Sequence, residues 1–99
     1  MIRHIVMWKL KAESADARAA AIAEIAAALE PLVEVIDGLN SLRVSANVAF
    51  PDTNWDAALV ADYDSLEALE AYQVHPEHVK AAAVPRAHAA QRATVDFEF

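Results

Sequence analysis

Ninety-nine residues suffice for one compact domain, read here as residues 1–99, and leave no room for a second. Eight Lys and Arg against fifteen Asp and Glu give a net charge of −7, which repels phosphate backbones and argues against a nucleic-acid partner. The absence of cysteine removes disulfides and thiolate metal sites, and the single glycine, Gly38, excludes P-loop and Rossmann fingerprints.

IRHIVMWKLK, residues 2–11, begins as a strand with apolar side chains on both parities: Val6, Trp8 and Leu10 on one, Ile5 and Met7 on the other. Both faces therefore ask for cover. Ser14 is suited to cap a helix with Asp16 in its first turn, and Ile22, Ile25, Leu29 and Leu32 recur along one stripe at spacings of three and four. Pro31 lacks an amide donor, which predicts a kink or restart near Glu30. Asp37-Gly38 turns the chain into a second strand over 39–46, and a turn-rich connection at 51–54 leads to a third over 57–63.

Asp64 or Ser65 starts the next helix, with Glu67 as a capping-box candidate and Leu66, Leu69 and Tyr72 on its inward face. His75 is held out of helical dihedrals by Pro76, which suits the first position of a new short helix running to about Val84. TVDFEF then alternates strictly, with Val95, Phe97 and Phe99 on one face and Thr94, Asp96 and Glu98 on the other. The order βαββα(α)β predicts an α+β, ferredoxin-like sandwich with helices over one face of a four-stranded sheet. That arrangement leaves the second apolar face bare, so pairing of two sheets across a two-fold axis, through Val95, Phe97 and Phe99, is expected to form a homodimer. No apolar run approaches the roughly 20 residues needed to span a bilayer, and a cytoplasmic location is expected.

The most chemically loaded segment is YQVHPEHV, residues 72–79, which places a tyrosine and two of the four histidines around one proline. With MIRHIVMWKLK at the start and TVDFEF at the end, this Tyr-x-x-His-Pro-x-His segment resembles the stress-responsive A/B barrel (Dabb) family over nearly the whole chain. The resemblance implies a dimeric α/β barrel with a small cavity between sheet and helices. In the polyketide-cyclase-type members it resembles, aldol chemistry runs without a cofactor: the histidine matching His78 is the base, the tyrosine matching Tyr72 assists at the carbonyl, and the aspartate matching Asp96 orients the histidine. His4 and His75 are further candidates for the cavity. Ala57 stands where that branch has another pocket histidine, and Ala26 and Ala81 where it has aromatics, which alters the substrate pocket; Arg92 and Thr94 replace apolar residues.

An imidazole has the intrinsic pKa of a base at neutral pH, and a carboxylate on its other nitrogen would hold the required tautomer. His78 is therefore expected to meet Asp96. His75 reads as a helix-start residue, and two histidines on adjacent turns fall short of the three or four ligands a stable zinc site needs, so no metal or other cofactor is expected. Two functions follow: a cofactor-independent enzyme acting on a small carbonyl or aromatic compound, or a non-catalytic dimer that binds a small apolar ligand or protects other components under stress.

Overall fold

Nine residues, Ile2–Leu10, form β1, and their alternation decides the layering of the whole chain. Ile2, His4, Val6, Trp8 and Leu10 are buried under the helices, while Met7 on the other parity is exposed. A computed structural model describes residues 1–99. Ser14 caps α1 (Ala15–Leu29), its hydroxyl oxygen accepting from the Ala17 amide at 3.1 Å. The buried stripe of α1 is Ala21, Ile25 and Leu29, with Ile22 on its shoulder, and Pro31 converts the next five residues, Glu30–Glu34, into a 3-10 helix that buries Leu32.

β2 (Leu39–Ala46) and β3 (Ala57–Tyr63) form the expected hairpin around a long loop, and β4 (Ala89–Glu98) closes the sheet on the far side of β1. The order is β2-β3-β1-β4 with every neighbouring pair antiparallel, the ferredoxin-like arrangement. No helix is long and apolar enough to cross a membrane.

Two local expectations need correction. Of the two cap candidates, Ser65 caps α2 (Leu66–Val74) by accepting from the Ala68 amide, while the Asp64 carboxylate accepts from the Asn40 side chain at 2.9 Å. Leu66 stays exposed and the buried stripe begins at Leu69. The following helix is also broken in two, α3 (Pro76–Ala81) and α4 (Ala83–His88), since Pro85 has no amide to give to the Ala81 carbonyl and its ring would clash there.

The core lies between the sheet's inner face and the helices, where Ile25, Tyr63 and Tyr72 are among its best-buried side chains. The outer face carries Met7, Val60, Val95, Phe97 and Phe99, all more than a third exposed in the single chain. Gly38 holds the tight entry to β2 with φ of +84°, and a Cβ there would stand 2.8 Å from the Ala68 Cβ. Gly38→Ala is thus expected to cost about 2 kcal/mol through left-handed strain and the clash with α2. A calorimetric Tm about 10 °C lower would match that cost, and an unchanged Tm would contradict it.

Candidate functional site

His4 enters the site because β1 is the central strand next to β4, and the antiparallel register sets His4 opposite Asp96. Residues directly opposite share a face, so the imidazole and the carboxylate meet on the helix side of the sheet. Nδ1 of His4 hydrogen-bonds Oδ1 of Asp96. The His4 side chain is 4% exposed and Asp96 40%, so the ring is enclosed while its carboxylate reaches the edge. With Nδ1–H donating to the carboxylate, Nε2 carries the free lone pair, and no group of the chain bonds it.

Asp96 therefore orients His4, which corrects the expected His78–Asp96 contact. His78 sits instead on α3, its ring stacked on Tyr72 with centroids 4.0 Å apart and planes 35° from parallel. Its Nδ1–H donates over a long 3.4 Å to the Gln73 carbonyl. Burial holds His78 below the ordinary imidazole pKa; the Gln73 carbonyl opposes this, and the neighbouring His4, Arg92 and Arg86 add to it. His78 is neutral at pH 7.

Tyr72 continues an aromatic chain into the core, meeting Tyr63 edge-on at 5.1 Å, and Tyr63 in turn meets His4 at 6.2 Å. Burial pushes the Tyr72 hydroxyl up to about 12, so it stays protonated and remains a donor at neutral pH. Tyr63 is raised further by burial, and its hydroxyl has no hydrogen-bond partner.

His4, Tyr72 and His78 line one cavity of about 490 Å³ between the inner sheet face and the helices, walled on its apolar side by Val6, Trp8 and Leu59. The remaining sequence candidates lie elsewhere. His75 is the N-cap of α3, its Nδ1 accepting from the Glu77 amide at 3.1 Å. Ala26 and Ala81 pack against the core, and Ala57 is buried in β3 beside the 47–55 loop, none of them on the wall of this cavity.

Sequence reasoning passed over Arg86 as a wall residue and noted Arg92 only as a departure from a pattern; both line the cavity. The available signal was parity, since Arg92 falls on the same face of β4 as Asp96. His88 pairs with Glu24, tying α4 to α1 outside the site.

The fold recurs among solved structures. A dimeric ferredoxin-like protein of unknown function from Bacteroides fragilis is 30% identical, with 99% of this chain and 95% of that chain covered and a TM-score of 0.86. A dimeric ferredoxin-like protein from Thermobifida fusca is also 30% identical, over 99% and 90% of the two chains, with a TM-score of 0.81. Hydroxynitrile lyase from Passiflora edulis, 14% identical over 97% and 90% of the chains, shares the fold with a TM-score of 0.78. No curated protein matches. The model of the stress responsive A/B barrel domain, Dabb, matches residues 2–99, and the chain belongs to that family.

Proposed function

We propose that the protein is a homodimeric, cofactor-independent enzyme that moves a proton at the carbon next to the carbonyl of a small, largely apolar or aromatic compound. The observation that carries this reading is the convergence of the Asp96-held His4 with Tyr72 on one cavity. Nε2 of His4 takes the proton from carbon, Asp96 stabilises the imidazolium that forms, and the protonated Tyr72 hydroxyl donates to the oxygen of the enolate. Return of the proton to carbon, or attack of that carbon on a second carbonyl of the same molecule, completes an isomerisation or an aldol closure. His78, neutral and stacked on Tyr72, fixes the phenol ring and offers a second nitrogen to the cavity.

Assembly as a dimer is supported by the outer-face residues Val95, Phe97 and Phe99 and by the dimeric state of the Bacteroides and Thermobifida neighbours. Proton transfer is tested without knowing the natural substrate by following deuterium uptake into β-tetralone, a small aromatic ketone, by NMR in heavy water. The protein is expected to accelerate uptake well above buffer and above a His4→Gln variant. Binding of the ketone with no acceleration would replace the enzyme reading with that of a ligand-binding protein.

A further inference from the structure

The cavity wall has a charge opposite to that of the chain. Fifteen acidic residues outnumber eight basic ones overall, yet Arg86 and Arg92 line the cavity and no Asp or Glu does. Neither guanidinium has a salt bridge or a side-chain hydrogen bond within the chain, while Arg3 and Arg43 pair with Asp62 and Glu30. Asp96, the acid on the same face of β4 as Arg92, is taken by His4.

Two different elements supply these cations. Arg92 comes from β4 opposite Trp8, and Arg86 from the last turn of α4. Their charges are both felt at His78, and that of Arg92 also at Tyr72, so they stand close to the proposed chemistry and not on a remote rim.

We infer that the cavity binds a small organic carboxylate, with its carboxyl group between Arg86 and Arg92 and its apolar body against Trp8, Val6 and Leu59. A guanidinium fork matches a carboxylate in two parallel hydrogen bonds, and two of them on an otherwise acidic molecule select an anion from solution. Phosphate is the poorer fit. The only glycine, Gly38, lies at the entry to β2, and the wall has no glycine-rich run of amides to cradle a dianion. The inference deepens the proposed function by naming the substrate class, and it rests on that reading only in taking the cavity as the ligand site.

Calorimetric titration with three probes of one shape tests it: para-acetylbenzoate, the neutral para-acetylbenzamide and para-acetylphenyl phosphate. The carboxylate is expected to bind the unaltered protein about tenfold or more tighter than the amide, a preference that shrinks with added salt. Arg86→Gln with Arg92→Gln, both at exposed positions and so compatible with folding, is expected to abolish the preference while amide binding persists. Equal binding of carboxylate and amide, a preference that survives in the double variant, tighter binding of the phosphate, or no binding of any probe would each overturn the assignment. Because the readout is affinity, carboxylate selectivity without proton exchange would sink the acid–base step and leave this inference standing.

Discussion

Phe97→Asp is expected to run as a monomer of 10.7 kDa in light scattering at micromolar concentration, where the unaltered chain runs at twice that mass. Phe97 lies opposite Arg3 on the outer sheet face, with Val95 opposite Ile5 and Phe99 beneath the Arg3 guanidinium at 4.3 Å. The Arg3–Asp62 pair, with two hydrogen bonds of 2.8 and 3.0 Å, forms a polar border to this apolar patch. Covering a Phe or Val contributes about 1.5–3 kcal/mol per side chain, enough in sum to drive association. A carboxylate in the middle costs several kcal/mol, and two-fold symmetry places it in the interface twice. An unaltered protein that is itself monomeric would refute the dimer, and a dimeric Phe97→Asp would show that the interface lies elsewhere.

Asp96→Asn is expected to lower ketone proton exchange by about 10²- to 10⁴-fold while the fold and the melting curve stay close to those of the unaltered protein. The substitution keeps the size of the side chain but removes the charge that stabilises the imidazolium, and its amide can turn an NH2 donor toward Nδ1 and so favour the wrong tautomer of His4. Asp96 is 40% exposed, so the neutral amide is readily accommodated. Comparison with His78→Gln separates the two histidines. Loss on Asp96→Asn with a smaller effect of His78→Gln assigns the base to His4; the reverse pattern returns that role to His78 and reduces the His4–Asp96 pair to a structural contact.

Much of this architecture was legible in local patterns. The two apolar parities of β1 and the alternation of β4 announced a sheet with one face for helices and one for another surface, and Pro31 and Pro76 marked where helices restart. Pairing across strands was not legible. His78 is expected to meet Asp96 because both match the cyclase-type motif, their residue types suit base and orienter, and the helix after Pro76 leads into β4, whereas the neighbour of Asp96 is set by a register between residues 92 positions apart. The clue lay in β1, where His4 is the one polar side chain on the buried parity and so needs a partner from an adjacent strand. Helix depth was illegible for a similar reason: whether an alanine at 26, 57 or 81 opens a cavity or lets elements close depends on packing from both sides.

Adjacent positions on β4 bear two unrelated duties, since Asp96 holds His4 on the helix side of the sheet and Phe97 faces the outer surface. Inserting or deleting one residue upstream within that strand would exchange them, driving a phenyl ring toward His4 and exposing a carboxylate where a hydrophobic surface is needed. Length variation in descendants of this sequence is thus confined to places such as the 47–56 connection, while β4 tolerates change only by substitution, and each of its two faces under its own constraint.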